Sequence, residues 1–254
     1  MNMIRLPAFA AALLLATPSF AADAPKEDHV AATGGDIVVH PVGHGSLALT
    51  WNGKTIYVDP APVPGGSKDG AEGFKGFPPA DAIVITHEHG DHFDAPTLEK
   101  LTGAKTVVIA PKNVAAMMPA SVMPKVKVLA NGEDATVAGV KIEAVAMYNV
   151  TPEKMQFHPK GQGNGYVIEM GGKRIYIAGD TEATPEMKAL KNIDMAFLPM
   201  NLPYTMTPEI AAEAALAFKP KVVYPYHYGQ SDLSIFVRGV ASDKNISVRL
   251  LKWY

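Results

Sequence analysis

The chain contains no cysteine, and this absence removes several classes of protein. Disulfide scaffolds, thiol catalysis and metal sites with cysteine ligands are excluded, so any metal must be bound by histidine and carboxylate side chains. An excess of basic residues is also lacking, because 23 Lys and Arg stand against 25 Asp and Glu among 254 residues. Nucleic acid is therefore not expected as the main partner.

Long hydrophobic runs are scarce as well, and no segment reaches the roughly 20 apolar residues that span a bilayer. Residues 1–21 instead have the pattern of a secretory signal peptide, with Arg5 as the positive start, Leu6–Thr17 as a short apolar run and a small-x-small cleavage pattern that ends at Ala21. We expect cleavage after Ala21, secretion across the inner membrane and a periplasmic protein without a stable membrane anchor. Residues 22–254 are predicted to form a single domain, since a chain that is 48% hydrophobic can build a substantial core.

Short strands alternate with helices along the rest of the chain. Strands are predicted at Ile37–Pro41, Ser46–Thr50, Thr55–Val58, Ala82–Ile85, Thr106–Ala110, Val140–Ala146, Tyr166–Met170, Arg174–Ala178, Val222–Pro225 and Val248–Leu251. Helices are predicted from about Ala95, after an Asp94 cap, and at Pro111–Met118, Met187–Lys191 and Ile210–Phe218. The stretch 60–79 is rich in Gly and Pro and is predicted to be a long loop without regular structure, a feature that is often functional.

Two predicted hairpins, about 120 residues apart, resemble each other: Gly43–Val58 and Gly163–Ile177. An acidic residue follows each of them, Asp59 and Asp180. Shared turn chemistry and an internal duplication are both possible explanations. Under duplication the chain has two similar halves whose sheets pack face to face, with helices on the outer faces, which gives a four-layer αββα sandwich.

Three of the eight histidines fall in one heptapeptide, residues 86–92, which reads T-H-E-H-G-D-H. His87 and His89 directly follow an apolar strand and point to the same side of it, while Asp91 and His92 lie in the turn after Gly90. Four nitrogen and oxygen ligands at a strand end suit zinc or another first-row divalent ion. An exposed polar turn is the alternative, but so dense a cluster beside a buried strand favours a metal site.

This H-x-H-x-D-H pattern resembles the signature of the metallo-β-lactamase fold hydrolases. Further motifs follow in the order of that fold and cover nearly all of the chain after the signal segment: Gly43-His44, Val58-Asp59-Pro60, Ala178-Gly179-Asp180-Thr181 and Tyr224-Pro225-Tyr226-His227. The match is closest to the branch that includes ascorbate-6-phosphate lactonase-like proteins and metal-dependent hydrolases. The resemblance implies the same αββα sandwich and a metal-dependent hydrolase.

The resemblance also implies a ligand set for one or two divalent ions, with Zn expected first and Mn or Fe as alternatives. The implied metal ligands are His87 and His89 for the first ion and Asp91, His92 and His227 for the second, with Asp180 as a bridge. Asp91 would in addition take up a proton. The residues alone leave two other interpretations open, namely a helix cap at Asp180 and a packed core histidine at His227.

Four further residues are predicted to support the site or to touch the substrate: His44, Asp59, Asn149 and Tyr226. Asp59 is expected to accept the free ring N–H of a ligating histidine. Tyr226 belongs to the aromatic surroundings of His227 or lines a substrate pocket together with the segment 201–206, which could equally be packed on the core. His44 forms a hydrogen bond within the site, binds substrate or stabilises its turn.

The chain departs from the family at the middle of its length, where a further metal-binding histidine is usual. Asn149 stands at that place, and a neutral amide oxygen binds zinc less well than imidazole does. His158 lies nine residues on, and we predict that it replaces the missing histidine, as a ligand or as the group nearest the attacking water; an exposed loop residue is the alternative. Hydrolysis of β-lactams themselves is therefore not expected.

The predicted function is that of an exported hydrolase in which a metal-bound hydroxide attacks an ester, lactone, amide or phosphodiester bond of a small molecule. A periplasmic metal-binding protein without turnover is one alternative, and its site would be closed by protein ligands. A lipid phosphodiesterase is another, and it would need an exposed apolar rim near residues 60–79, with Phe74 and Phe77. The sequence indicates no particular oligomeric state.

Overall fold

The computed structural model describes residues 26–254, and the predicted signal segment lies outside this range. Two seven-stranded sheets account for the strands of the described part. The first sheet contains β1 (Asp28–Val30), β2 (Ile37–Gly43), β3 (Ser46–Trp51), β4 (Lys54–Val58), β5 (Ala82–Val84), β6 (Val107–Ala110) and β7 (Val126–Val128). The second contains β8 (Asp134–Val137), β9 (Val140–Met147), β10 (Gly163–Met170), β11 (Lys173–Ile177), β12 (Met195–Pro199), β13 (Val222–Tyr226) and β14 (Ser247–Val248).

The two sheets have the same topology. Strands β1 to β7 are neighbours in chain order, and so are strands β8 to β14. In each sheet the first four strands pair antiparallel and the remaining ones pair parallel. The two similar hairpins of the sequence, β3–β4 and β10–β11, occupy the third and fourth positions of their sheets. Shared turn chemistry alone does not explain this correspondence, so the structure favours duplication.

Helices cover the outer faces of both sheets and complete four layers. They are α1 (Ala95–Leu101), α2 (Lys112–Ala115), α3 (Pro185–Lys188), α4 (Pro208–Phe218) and α5 (Leu233–Val240). The central core lies between the sheets, where Leu47 and Val58 of the first join Ile142 and Ile168 of the second in one buried cluster. Helices α1 and α2 pack on the first sheet and α3 to α5 on the second. The predicted αββα sandwich is confirmed.

Local signals explain where the helices begin. The Asp94 carboxylate accepts a hydrogen bond from Thr97 N at 2.9 Å at the start of α1, and Thr207 caps α4 in front of Pro208. Within the described residues no helix is both long and apolar enough to cross a membrane.

Several boundaries differ from the prediction. The stretch 60–79 contains a short 3-10 helix, Gly70–Phe74, because Asp69 caps it and Phe74 is buried, so this loop is not wholly irregular. The predicted helix at 111–118 is regular only over α2, and the last predicted strand shrinks to β14. Strand β12 was not predicted, because a fully buried parallel strand shows no alternation of polar and apolar residues.

Candidate metal centre

The loops at one edge of each sheet meet and bring the predicted ligands together. The first sheet contributes the turn between β2 and β3 with His44, the residue after β4, which is Asp59, and the heptapeptide after β5. The second sheet contributes the loop after β9 with His158, the residues after β11 with Asp180, and His227 directly after β13. Each functional side chain therefore follows a strand whose position the sheet fixes.

The heptapeptide folds back on itself immediately after His89. The backbone N–H groups of His92 and Phe93 both donate to the carbonyl of His89, at 2.9 and 2.8 Å. This tight turn places the ring of His87 4.7 Å from that of His89 and 4.2 Å from that of His92, measured between ring centroids. The motif is thus a compact unit set by its own backbone.

Asp59 fixes the heptapeptide of residues 86–92 through hydrogen bonds to its buried carboxylate. Its fully buried carboxylate accepts hydrogen bonds from Thr86 N at 2.7 Å, Thr86 Oγ1 at 2.6 Å and His92 Nδ1 at 2.8 Å. Because the Thr86 hydroxyl donates to Asp59, its oxygen can accept from His87 Nδ1, 2.9 Å away. Both rings then carry their proton on Nδ1, which leaves the Nε2 lone pairs of His87 and His92 free for a cation.

The first of two ligand sets joins both halves of the chain. His87 Nε2 lies 3.1 Å from His89 Nδ1, and the ring centroid of His158 lies 5.1 and 5.0 Å from those rings. The three ligand atoms are all within 4.8 Å of one another. The structure thus places His158 beside His87 and His89, and it is buried rather than an exposed loop residue.

The second set implied by the family resemblance consists of Asp91, His92 and His227, whereas by distance Asp91 and His227 group with His44, and His92 groups with His87 and Asp180. His227 Nε2 lies 3.4 Å from Asp91 Oδ2 and 3.5 Å from Asp180 Oδ1, and His92 Nε2 lies 3.4 Å from the same Asp180 oxygen. The other oxygen of Asp180 lies 3.5 Å from His158 Nε2, in the first set. Asp180 therefore stands between the two sets, as a bridging ligand must.

These side chains pass a direct test of fitness for metal. In tetrahedral coordination with metal–ligand bonds of about 2.0–2.1 Å, two ligand atoms of the same ion lie roughly 3.3 Å apart. The distances from the Asp180 oxygens to the Nε2 atoms of His92, His158 and His227, 3.4 to 3.5 Å, are close to this value. Buried polar atoms normally have hydrogen-bond partners, but five atoms of the proposed ligand side chains have none among the described residues: the Nε2 atoms of His92, His158 and His227, His227 Nδ1, and Asp180 Oδ1. Bound cations would satisfy the three Nε2 atoms and Asp180 Oδ1, but not His227 Nδ1.

The charges of the site also favour ligation. Burial lowers the pKa of His87 well below its ordinary value, and the rings of His92 and His158 lower it further. Burial lowers the pKa of His158 too. Burial would raise the pKa of Asp180, but His227 and His92 outweigh it and hold that pKa below its ordinary range. Neutral imidazole and ionised carboxylate are the forms that bind a cation. His92 is the exception, because burial would lower its pKa but Asp180 and Asp59 raise that pKa to about 10. A bound metal must therefore displace a proton from His92.

His44 lies near enough to the second set to be a further candidate ligand, because its ligand atom and those of Asp91 and His227 are all within 4.8 Å of one another. Its Nε2 lies 3.0 Å from Asp91 Oδ2, its Nδ1 lies 3.0 Å from the hydroxyl of Tyr254, and its ring centroid is 3.7 Å from that of His227. The backbone of His44 is left-handed, with φ 53°, and its carbonyl accepts from His227 N at 3.1 Å. Of the three predicted roles, the hydrogen bond within the site is the one that this geometry provides.

Asn149 supports His158, and its own buried Oδ1 has no hydrogen-bond partner among the described residues. Its backbone N–H donates to the carbonyl of His158 at 2.9 Å, and its Nδ2 donates to the carbonyls of Tyr204 at 2.7 Å and Lys154 at 3.0 Å. The same Nδ2 lies 3.2 Å from His158 Nδ1. The Asn149 side chain thus ties the histidine loop to the segment that follows β12.

Sequence reasoning missed Glu182, which anchors the same loop. Its buried carboxylate accepts from Val150 N at 2.9 Å, from Thr151 N at 2.6 Å and from Thr151 Oγ1 at 2.8 Å, and Lys154 Nζ lies 3.3 Å away. These partners lie about 30 residues earlier in the chain, and no local pattern signals a contact of that kind. Only the proximity of Glu182 to Asp180 in the sequence pointed toward the site.

Tyr226 does not line a substrate pocket. It is fully buried, and its hydroxyl accepts from Gly179 N at 2.9 Å, next to Asp180. The ring packs on Phe197 and Trp253 in the central core. Its predicted substrate contact is therefore excluded by packing, and its role is to support the Asp180 turn.

A cavity of about 380 Å³ opens directly over the ligands. Five site residues line it together with three residues from outside the ligand sets: His89, Asp91, His158, Asp180, His227, Phe157, Asn201 and Tyr204. A second cavity, of about 400 Å³, lies between the 60–79 loop and residues Trp253 and Tyr254, and no ligand residue lines it. The long loop thus borders a different cavity from the one over the candidate metal centre.

The family described as Beta-lactamase superfamily domain matches residues 39–227. A UPF0173 metal-dependent hydrolase of Thermococcus onnurineus is 38% identical over 154 residues, 59% of this chain and 67% of that protein. One of Thermus thermophilus is 34% identical over 196 residues, 76% and 84% of the two chains.

Solved structures give the same result. The crystal structure of a candidate metal-dependent hydrolase from Parabacteroides distasonis is 41% identical, with a TM-score of 0.80 over 90% of this chain and 99% of that one. A metallo hydrolase of Ignicoccus hospitalis is 24% identical, with a TM-score of 0.68 over 85% and 95%. The latter likeness shows the fold alone.

Proposed function

This chain belongs to the beta-lactamase superfamily and, like its relatives, is a metal-dependent hydrolase; on that premise we propose that it holds two divalent ions. The first ion would be held by His87, His89 and His158, and the second by Asp91, His92 and His227. Asp180 would contribute one oxygen to each. Zinc is the proposed metal, because four imidazole and carboxylate ligands in a tetrahedral arrangement are typical of zinc sites.

One observation carries this proposal. The two oxygens of Asp180 face two different histidine groups at 3.4 to 3.5 Å, yet neither oxygen accepts a hydrogen bond from residues 26–254. A buried carboxylate without hydrogen bonds is costly unless a cation pairs with it. The arrangement is therefore best explained as a ligand shared by two ions.

The residues around the cavity would divide the work of hydrolysis. Bound divalent ions would lower the pKa of a water molecule to about 7 and polarise the scissile bond. The Asp91 carboxylate borders the cavity and is the proposed proton acceptor, and His44 orients it through Nε2 at 3.0 Å. Asp59 keeps the Nε2 of His92 turned toward Asp180 by accepting the hydrogen bond of His92 Nδ1.

The cavity favours an enzyme over the two alternatives. A metal-storage site would be closed by protein ligands, whereas here open space of about 380 Å³ borders both ligand sets. A lipid phosphodiesterase with an apolar rim at 60–79 is disfavoured, because Phe74 is buried and that loop borders another cavity. We propose a small-molecule substrate with an ester, lactone, amide or phosphodiester bond. Export to the periplasm after removal of residues 1–21 remains part of the proposal.

Metal analysis of the purified mature chain, combined with a substrate screen, tests this function. We expect about two equivalents of zinc, hydrolysis of at least one of the four bond types, and loss of that activity on chelation with recovery on adding zinc back. A metal-free chain that hydrolyses at the same rate would contradict the proposal. Detection of the chain in a periplasmic fraction, shortened at Ala21, tests the localisation separately.

A further inference from the structure

Two aromatic rings form one wall of the cavity over the ligands. Phe157 and Tyr204 both line it, and their rings meet edge to face at a centroid distance of 5.1 Å and an interplanar angle of 81°. Phe157 directly precedes the ligand His158. Tyr204 is 44% exposed, so a large part of an aromatic residue faces solvent at the mouth of the cavity. We call this pair the aromatic wall.

The aromatic wall is fixed by polar contacts behind it. Asn149 Nδ2 donates to the carbonyl of Tyr204 at 2.7 Å, and Lys154 Nζ donates to the carbonyl of Thr205 at 2.6 Å. The two loops that carry Phe157 and Tyr204 are thereby held to each other. A rigid aromatic surface beside a reacting centre costs little conformational entropy when a ligand packs on it.

A polar group stands beside the aromatic wall without a partner. Asn201 lines the cavity, and its backbone is held by Thr205, whose Oγ1 accepts from Asn201 N at 2.8 Å. The Asn201 side chain is half-buried, its Oδ1 packs against Gly229, and its amide forms no hydrogen bond within residues 26–254. Its Nδ2 is thus left as a donor for a ligand in the cavity.

The cavity lacks the cations that recognise phosphate. Among the described residues that line it, none is lysine or arginine, which are the residues that usually bind phosphate oxygens. Both lysines of the neighbouring loop are engaged elsewhere, Lys154 with Glu182 at 3.3 Å and Lys160 with Glu186 at 2.9 Å. A phosphodiester, which carries one negative charge, would find no lysine or arginine among the described residues that line the cavity, and only the metal centre would pair with that charge.

We propose that the substrate is an uncharged acyl compound, an ester, lactone or amide, with an aryl or similarly bulky apolar group next to the scissile carbonyl. This inference rests on the proposed hydrolase function and narrows it. The apolar group packs on the aromatic wall, and the Asn201 amide forms a hydrogen bond with a polar group of the substrate. The carbonyl carbon lies over the ligands, where the oxygen of water bonds to it and the acyl C–O or C–N bond breaks. One proton of the water passes to the alcohol or amine, which leaves or, in a lactone, stays attached to the product, and the other is lost from the new carboxylic acid.

Matched substrate pairs test the proposal with the zinc-loaded protein. We would measure kcat/KM for methyl phenylacetate against methyl acetate, for phenylacetamide against acetamide, and for bis(4-nitrophenyl) phosphate. In at least one pair the phenylacetyl compound should be preferred by about tenfold or more, as expected for apolar contacts in a pocket. Tyr204→Ala and Phe157→Leu should bring that ratio close to one without lowering the metal content.

Leu202→Ala is the matched control, because Leu202 is exposed on the same loop but does not line the cavity; the ratio should not change. A wild-type ratio near one, a ratio insensitive to both wall variants, or faster hydrolysis of the phosphodiester would overturn the substrate class and leave the hydrolase intact. A zinc-loaded protein that hydrolyses none of a broad ester, lactone, amide and phosphodiester panel would instead overturn the proposed function, and this inference with it.

Discussion

The two halves of the molecule each place a buried aspartate just after the fourth strand of their sheet. The two aspartates differ in whether their carboxylate oxygens accept hydrogen bonds from the protein. Asp59 follows β4 directly and Asp180 comes three residues after β11. The oxygens of Asp59 accept three hydrogen bonds, from Thr86 and His92. Those of Asp180 accept none within the described residues and face three histidines instead.

This difference shows how hydrogen bonding separates a supporting carboxylate from a metal ligand. Both groups are almost fully buried, at 0% and 3% exposure, so burial does not distinguish them. A carboxylate whose lone pairs are used by the protein can only orient its neighbours, whereas one whose lone pairs are free needs a cation. In the proposed metal centre, the first half of the chain thus supplies the ligands of residues 87–92 with Asp59 as their support. The second half supplies Asp180, the ligand proposed to bridge the two ions.

The largest expected effect in this comparison comes from Asp180→Asn. The change removes the negative charge of the ligand that both ions share. Because metal catalysis lowers the activation barrier by several kcal/mol, the rate should fall by at least about a thousandfold. Activity per folded molecule and metal content are the measurements. A variant that keeps wild-type turnover while its cooperative unfolding is lost would show that Asp180 is structural, like Asp59.

Removal of one ligand from a single set should have the next largest effect. His158→Ala is expected to lower the bound metal from about two equivalents to about one, because a set of three side chains loses one of them while the other set stays complete. Met155→Ala, an exposed change in the same loop, should leave the metal content unchanged. Unchanged metal in His158→Ala would exclude His158 from the first set.

The sequence predicted the first half of the site better than the second. The heptapeptide of residues 86–92 is a local unit, so its spacing alone predicts ligands at a strand end. His227 and Asp180 come from separate strand ends, and the residues alone left them ambiguous until the family resemblance gave them roles. The position of His158 beside His87 and His89 depends on the contacts of Asn149 and Glu182, which are made between distant segments and leave no periodic pattern.

In the fold, too, the elements set by local sequence could be predicted, whereas those set by tertiary packing could not. The topology followed from the two similar hairpins, whose turn chemistry is local. Strand β12 escaped prediction because both of its faces are buried. The 3-10 helix at Gly70–Phe74 depends on a cap at Asp69 and on the burial of Phe74, and the composition of a Gly-rich stretch does not reveal that packing.

Compared with Asp180→Asn, Asp59→Asn is expected to lower the activity less and the free energy of unfolding more. The amide cannot accept all three hydrogen bonds, so the metal-free protein should lose about 1–3 kcal/mol of unfolding free energy, more than Asp180→Asn loses. Metal affinity should fall by about 10–100-fold, as is usual when a partner of a ligating histidine is removed. Chemical denaturation of both variants after chelation checks the order, and a reversed order would contradict the division of roles.

The smallest effect is expected for Glu182→Gln, which keeps the shape of the loop anchor but weakens the pairing with Lys154. Because the anchored loop carries His158, zinc affinity should fall by no more than about tenfold, and only for the ion held by the first set. Titration with a competing chelator measures the two affinities separately. An equal loss at both ions would show that Glu182 acts on the whole site rather than on this loop.

The position of the metals themselves tests the central claim most directly. Crystals of the zinc-loaded mature protein, measured with X-rays on both sides of the zinc absorption edge, should show two anomalous peaks about 3.5–4 Å apart. One peak should lie among His87, His89 and His158, the other among Asp91, His92 and His227, with Asp180 between them. A single peak, or peaks that do not touch Asp180, would contradict the account.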